Sequence, residues 1–126
     1  MSRSKAWDGR CITVSISIHV INGVYGRAAA AMSVVLSREV SGKLEEQWRD
    51  LTDDDGRISG LNRSSLPAGS YAIDLNLDGY FRQLGLVSVN SAMTLRFYLP
   101  NEYSHYGVLI LVTPAFSALF MEPKER

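Results

Sequence analysis

The most regular feature of the chain is an alternation of apolar and polar residues, which is typical of β-strands with one buried face. It is clearest in residues 12–21, where every second residue is aliphatic. The aliphatic residues there are Val14, Ile16, Ile18 and Val20. The other face carries small hydroxyl-bearing side chains and His19, one of only two histidines in the chain. The pattern predicts a strand with one aliphatic and one polar face.

The next stretch, AAAAMSVVLSREV, is ambiguous, because its alanines favour a helix while its alternation and its valines favour a strand. We interpret it as a strand. Gly42 then predicts a hairpin turn over residues 41–43. The chain is expected to return through LEEQWRDL as an exposed strand with Leu44, Glu46 and Trp48 on one side.

The middle of the chain combines a turn, a strand and a helix. TDDDGRISGL is expected to form a tight acidic turn, since Asp55–Gly56 is a strong turn dipeptide. DGYFRQLG is typical of a short helix that Asp78 can cap and Gly85 can end. The strand between them is expected to place four apolar residues on one face: Tyr71, Ile73, Leu75 and Leu77.

Three further stretches, MTLRFYLP, HYGVLILVTP and AFSALFM, are expected to be strands. The chain then contains seven to eight short strands and one short helix. This composition of elements predicts an all-β fold, a sandwich of two sheets.

The composition narrows the class of protein. A chain of 126 residues suits one domain, and we expect a tail at 1–10, a domain at 11–120 and a second tail at 121–126. The 13 basic and 13 acidic residues balance, which argues against nucleic-acid and membrane partners. Cys11 is the only cysteine and is interpreted as an inert packing residue. No signal-peptide or membrane-spanning stretch is recognised, so a cytoplasmic location is expected.

Most chemical motifs are absent from the sequence. It contains no phosphate-binding glycine loop, no HExxH and no paired cysteines, and its acidic turn lacks the spacing of a calcium loop. Two histidines without a third nitrogen or sulfur ligand predict no metal site, and no cofactor is expected. The remaining polar candidates are His19, Arg57, Arg96, His105 and Tyr106. Each of them, taken alone, is most simply a solvated or locally hydrogen-bonded side chain.

Several strings together resemble one family. ISIHVINGVYGRAAA, TDDDGRISGL, GSYAIDLNLDGYFRQLGL and LRFYLPNEYSHYGVLILVTPAFSALF are similar to the strands, turn and helix of the transthyretin-like family, over about residues 11–120. The enzymatic branch of that family is 5-hydroxyisourate hydrolase. The resemblance implies a transthyretin-like sandwich that assembles as a homotetramer, a dimer of dimers, around a central channel that binds a small molecule. His19 would face this channel, so its neighbours would be small to leave room for a ligand.

The resemblance also implies a set of site residues. The catalytic candidates are His19 and Arg57, which match a catalytic histidine and arginine of the hydrolases, and His105, which matches the first histidine of their H-Y-H motif. The second histidine of that motif, which is catalytic there, falls on Gly107, and we expect this glycine to enlarge the pocket by a whole imidazole. The hydrolases' terminal Y-R-G-S motif falls on residues 120–123 and is absent. The substrate-binding candidates are Ser17, Tyr106, Gly107 and Phe120.

Three functions stay open at this point. The retained His19 and Arg57 favour a diverged hydrolase-like enzyme that opens, closes or isomerises a small heterocyclic or amide-like ring, for instance in specialised metabolism. A non-catalytic binding protein is the first alternative, since the carrier branch also lacks the second histidine and the terminal motif. A genuine 5-hydroxyisourate hydrolase of purine metabolism, with a rearranged site, is the second.

Overall fold

A computed structural model of the chain describes residues 13–89 and 91–124. These residues form nine β-strands, one α-helix and one 3₁₀ turn. The strands are β1 (Thr13–Asn22), β2 (Arg27–Ala28), β3 (Ser33–Val40), β4 (Lys43–Leu51), β5 (Leu66–Pro67), β6 (Gly69–Leu75), β7 (Met93–Leu99), β8 (His105–Val112) and β9 (Ser117–Pro123). The helix α1 spans Leu77–Gln83 and the 3₁₀ turn spans Leu61–Arg63. The predicted all-β sandwich of two sheets with one short helix is confirmed. The described residues form nine strands rather than the predicted seven to eight, because β2 and β5 have only two residues each and are too short to show an alternation.

The strands form two sheets. In the first sheet the order is β2-β1-β8-β9, and β5 also pairs with the start of β1. In the second sheet the order is β4-β3-β6-β7. β1 and β8 run parallel although most of the chain separates them, and their register sets Ser15 beside His105 and Asn22 beside Val112. This pairing brings the polar face of β1 next to the H-Y-G segment.

The core lies between the two sheets. The aliphatic face of β1 points into it, with Val14, Ile16, Ile18 and Val20 all at most 2% exposed. On β8 the inward residues are Tyr106, Val108, Ile110 and Val112. The opposite side of this sheet carries Ser15, Ser17, His19 and Ile21 from β1 and His105, Gly107, Leu109 and Leu111 from β8. We call this side the outer face of the first sheet.

β4 differs from its prediction in one respect. The hairpin turn before it forms as expected, but the pairing with β3 shifts between Leu36 and Ser37. Leu36 pairs with Trp48 and Ser37 pairs with Glu46, so Glu46 and Trp48 point to opposite faces. The prediction that they share a side is wrong, because a β-bulge adds one residue and reverses the alternation. Trp48 consequently packs against the core.

The helix begins earlier than predicted. Asn76 is its N-cap, and the Asn76 side chain accepts a hydrogen bond from the Gly79 N–H at 3.0 Å. Asp78 lies in the first turn instead and pairs with Arg82 at 2.6 Å. Leu77 belongs to the helix rather than to the preceding strand, so its predicted place on the strand face is wrong. The alternation could not separate the two, because Leu77 is buried in either element.

The sequence predicts a tail at each end of the chain. The predicted tail 1–10 and Cys11 lie outside the described residues, so the packing role of Cys11 stays a prediction. At the other end, β9 continues to Pro123, beyond the predicted domain end at residue 120. A search of residues 13–89 and 91–124 finds no helix with both the length and the apolar character needed to cross a membrane.

Candidate functional site

β1 arranges a row of polar side chains on the outer face of the first sheet. Ser15, Ser17 and His19 are each half-buried, while the residues between them face the core. Neighbours on one face of a strand lie about 6.6–7 Å apart, so the row spans two such steps. This is the orientation that the alternation predicted for His19.

The acidic turn brings Arg57 to the edge of β1 that faces away from β8, between the short strands β5 and β2. The Asp53 carboxylate accepts hydrogen bonds from the N–H groups of Asp55 and Arg57, each at 2.9 Å, and so holds the turn closed. An isolated antiparallel bridge then pairs Arg57 directly with His19. Paired residues of an antiparallel bridge project to the same face, so the two side chains are neighbours there.

Gly56 allows the turn to approach β1 this closely. The Gly56 carbonyl oxygen accepts a hydrogen bond from the Val20 N–H at 2.8 Å. Gly56 has a φ of +77°, and a Cβ on it would lie only 2.4 Å from the Val20 carbonyl oxygen. Any larger residue would therefore push the turn, and Arg57 with it, away from His19.

A pocket of about 270 Å³ opens beside this pair. Across the sheet, Ser17 pairs with Gly107 and Gly107 with Glu122, while His19 pairs with Leu109 and Leu109 with Phe120. The pocket is lined by Ser17, His19, Arg57, Gly107, Val108, Leu109, Phe120, Met121, Glu122 and Lys124. Five of the seven site residues that the family resemblance implies therefore line one pocket: His19, Arg57, Ser17, Gly107 and Phe120. The volume suits a small ring rather than a larger ligand.

The space at Gly107 is already filled. Lys124 follows β9, and its N–H donates to the His105 carbonyl oxygen at 2.9 Å. A Cβ on Gly107 would lie 2.6 Å from Cε and 3.0 Å from Cδ of Lys124. The expectation that Gly107 enlarges the pocket by an imidazole is therefore wrong, because the end of the chain folds over the glycine and the lysine stem occupies the space.

His105 lies beside the pocket and not among its lining residues. It is buried, and its Nδ1 and Nε2 atoms lie 2.6 Å from Ser15 Oγ and 2.9 Å from Ser17 Oγ. Both ring nitrogens are thus engaged by serines of β1, which fixes the ring plane. The catalytic role that the resemblance implies for His105 stays a prediction, and any effect on a ligand would pass through Ser17.

Tyr106 and Arg96 lie elsewhere in the fold. Tyr106 follows His105 on β8 and is buried, and its ring meets that of the exposed Tyr103 edge-on at a centroid distance of 6.0 Å. Burial raises the pKa of the Tyr106 phenol. Arg96 is exposed on β7 of the second sheet and pairs with Glu39 at 3.5 Å. Within one chain, neither side chain is part of the pocket lining.

The charges of the pocket are unevenly distributed. Arg57 and Lys124 carry positive charge, and Glu122 is the one acid among the lining residues. Within the described part of the chain, neither cation has a carboxylate within 4.0 Å. A ligand in the pocket would therefore meet two cations that no ion pair already engages.

A second cavity of about 230 Å³ begins on the other side of Arg57. It shares Ser17 and Arg57 with the first pocket and is otherwise lined by Ile18, Asp53, Ile58, Ser59, Gly60, Asn62 and Arg63. Arg57 thus stands between two cavities at the edge of β1. The acidic turn therefore shapes the surface on both sides of this arginine.

Sequence reasoning missed Lys124 as a lining residue. Its string, EPKER, is typical of a solvated tail, and only the register of β9 on β8 brings it over the pocket. The one signal in the sequence was Gly107, a glycine within an otherwise aliphatic strand. Such a glycine often marks a place where another part of the chain approaches closely.

Comparisons with known proteins identify similar sequences and similar folds. Residues 16–119 match the sequence profile of the HIUase/Transthyretin family. A 5-hydroxyisourate hydrolase of Deinococcus radiodurans is 28% identical over 106 residues, which cover 79% of this chain and 87% of the relative. The structure of Klebsiella pneumoniae 5-hydroxyisourate hydrolase superposes with a TM-score of 0.72 at 25% identity, over 86% of this chain and 93% of that one.

The predicted transthyretin-like fold is confirmed by a second solved structure, which is similar in fold alone. Sea bream transthyretin, solved in complex with thyroxine, gives a TM-score of 0.76 at 19% identity, over 88% of this chain and 97% of that one. By contrast, the family profile matches most of the sequence, from within β1 to within β9. The chain therefore belongs to the HIUase/Transthyretin family.

Proposed function

We propose that the protein is a diverged enzyme of the 5-hydroxyisourate hydrolase type, which acts on a small heterocyclic or amide-like ring in the pocket beside β1. The observation that carries this proposal is the bridge between His19 and Arg57, which sets these residues side by side where both line one pocket. An imidazole can move a proton near neutral pH, and a guanidinium can stabilise a developing negative charge.

The two groups suffice for opening an amide-like ring with water. His19 takes a proton from a water molecule as the water oxygen attacks a ring carbonyl carbon. The negative charge that develops on the carbonyl oxygen is stabilised by Arg57. The ring C–N bond then breaks, and the imidazolium returns its proton to the departing nitrogen. Ser17 Oγ, held by His105 Nε2 at 2.9 Å, supplies a fixed polar contact for the ring.

The similar proteins support the enzyme class, and the departures of this sequence from the hydrolase motifs support a change of substrate. Both the Deinococcus radiodurans and the Klebsiella pneumoniae proteins are 5-hydroxyisourate hydrolases. In this chain, however, Gly107 stands where the resemblance expects a catalytic histidine, and residues 120–123 do not read Y-R-G-S. We infer that the ring chemistry is retained and that the substrate differs.

Turnover by a His19 variant tests the proposal. Freshly generated 5-hydroxyisourate and a panel of cyclic amides and ureides are followed by loss of ring absorbance. We expect His19→Ala to lower kcat/KM about 10²–10⁴-fold on the substrate found, since it removes the general base. Arg96→Ala, which removes an exposed arginine from the second sheet, serves as the control and should leave the rate unchanged. Full turnover in His19→Ala contradicts the proposal.

The same assay separates the two alternatives. Acceleration of 5-hydroxyisourate decay beyond that of every other ring indicates a genuine hydrolase of purine metabolism. Binding of a ring without turnover of any ring indicates a non-catalytic binding protein, an alternative that the absent imidazole at Gly107 favours.

The assembly is part of the proposal. We infer a homotetramer in which the outer face of the first sheet lines a channel, so that pockets from different subunits open into it. The exposed fractions of Leu109 (41%) and Phe120 (57%) on this face support an apolar contact between copies. A cytoplasmic location remains a prediction.

A further inference from the structure

The side chain of Lys124 lies over Gly107 of β8 and lines the pocket. Its stem lies across Gly107, where the Cγ, Cδ and Cε atoms all come within 3.2 Å of the place that a Cβ would take. The stem is held there from its base, because the Lys124 N–H is bonded to the His105 carbonyl oxygen. The side chain thus enters the pocket from the β9 side.

The position of Lys124 complements that of Arg57. Arg57 reaches the pocket from the edge of β1 on the side opposite β8 and β9. Lys124 reaches it over Gly107, which pairs with Ser17 of β1. His19 and Ser17 therefore lie between two cations that approach from opposite sides. Because the described residues provide neither cation with an ion pair, a ligand can supply the missing negative charge.

We propose that Lys124 is a substrate-binding residue, and that with Arg57 it makes the pocket selective for an anionic ring, a small heterocycle that bears a carboxylate or an ionised ring oxygen. The assignment rests on the proposed function in so far as this pocket is the substrate site. Gly107 contributes to this role of Lys124, because the absence of a side chain at Gly107 leaves room for the lysine stem.

Two substitutions remove the ammonium group from the pocket by different routes. Lys124→Met keeps most of the stem and removes the charge. Gly107→Ala leaves Lys124 in the sequence but displaces it, because the new methyl group would meet the lysine at 2.6 Å. The closest atom, Cε, lies toward the far end of a flexible side chain, and Cδ and Cγ follow at 3.0 and 3.2 Å, so the whole lysine stem must swing aside and the fold should persist. Equal urea unfolding midpoints of wild type and Gly107→Ala check this point.

The probes are orotate and uracil, which share a six-membered ring and differ in the carboxylate of orotate. Calorimetry should show tighter binding of orotate than of uracil to the wild-type protein. Lys124→Met and Gly107→Ala should each weaken orotate binding about 10–100-fold, as expected for the loss of a charge-assisted hydrogen bond, and should weaken uracil binding much less, because uracil has no carboxylate. Lys124→Arg should keep most of the affinity. Lys43→Met, which removes an exposed lysine from β4, is the matched control and should bind as wild type.

Two results overturn the assignment: equal orotate affinity in wild type and Lys124→Met, or a wild-type protein that prefers uracil or shows no preference. Measuring both orotate binding and ring turnover distinguishes the binding role of Lys124 from the proposed enzyme function. If orotate binding requires Lys124 but no ring is turned over, the binding role of Lys124 stands and the enzyme proposal falls. If turnover requires His19 while Lys124→Met binds orotate as wild type does, the enzyme proposal stands and the role of Lys124 falls.

Discussion

Gly56 determines where Arg57 stands, and its substitution tests the turn. Gly56→Ala must adopt a left-handed φ and would also place a methyl group 2.4 Å from the Val20 carbonyl oxygen. Gly26→Ala is the matched control, because Gly26 has a similar φ of +70° and open space around it. We expect Gly26→Ala to cost about 1–2 kcal/mol of unfolding free energy from backbone strain alone.

Gly56→Ala should lose about 1–3 kcal/mol more than Gly26→Ala, because the turn must leave β1 and the buried Val20 N–H loses its partner at 2.8 Å. Urea unfolding of both variants measures the difference. Equal losses in the two variants would show that the close approach of the turn to β1 contributes nothing to stability.

Particular residues show which parts of the site could be predicted from the sequence. The alternation placed His19 on the outer face, and the Asp55–Gly56 dipeptide predicted the turn. That the turn would set Arg57 beside His19 followed only from the family resemblance, because 37 residues separate the two in the chain and no local rule fixes such a contact. The position of Lys124 could not be predicted from the sequence, because its contact with Gly107 depends on the register between β8 and β9.

Among the elements, strands were predicted better than their ends and irregularities. The period of two identified β1, β6 and β7, because one face of each is more buried than the other, and a continuous apolar run identified β8, which is buried on both faces. The period of two predicted the wrong faces within β4. A bulge at Gln47 reverses the faces there, and an inserted residue leaves no mark in the alternation. The prediction also failed at the start of α1, where the Asn76 side chain forms the cap and Asp78 does not.

β9 shows why the end of the chain matters to the site. The sequence EPKER has the charge of a solvated tail, yet β9 extends to Pro123 and carries Lys124 back over the pocket. Pairing with β8 supplies the reason, because the strand continues as long as its backbone groups find partners there, from Ser117 opposite Val112 to Pro123 opposite Tyr106. A tail in the sequence is therefore part of the pocket in the fold.

For the whole molecule, the proposed tetramer predicts a definite mass. Sedimentation at micromolar concentration should give about 56 kDa, four times the chain mass of 14.0 kDa. Leu109→Glu puts a charge on the outer face of the first sheet and should shift the protein toward smaller species. Leu51→Glu, at an exposed leucine on β4 of the other sheet, should leave the assembly intact. A wild-type mass near that of one chain contradicts the tetramer and the shared channel.

A double-mutant cycle on His19 and Arg57 decides whether the two side chains act together on one substrate. The quantities compared are the kcat/KM values of wild type, His19→Ala, Arg57→Ala and the double variant, on the ring that the wild-type protein turns over. Because the imidazole and the guanidinium are bridged neighbours in one pocket, we predict that the double variant is about as slow as the slower single variant. Losses that multiply, or a His19→Ala variant as fast as wild type, would contradict the joint action of the pair.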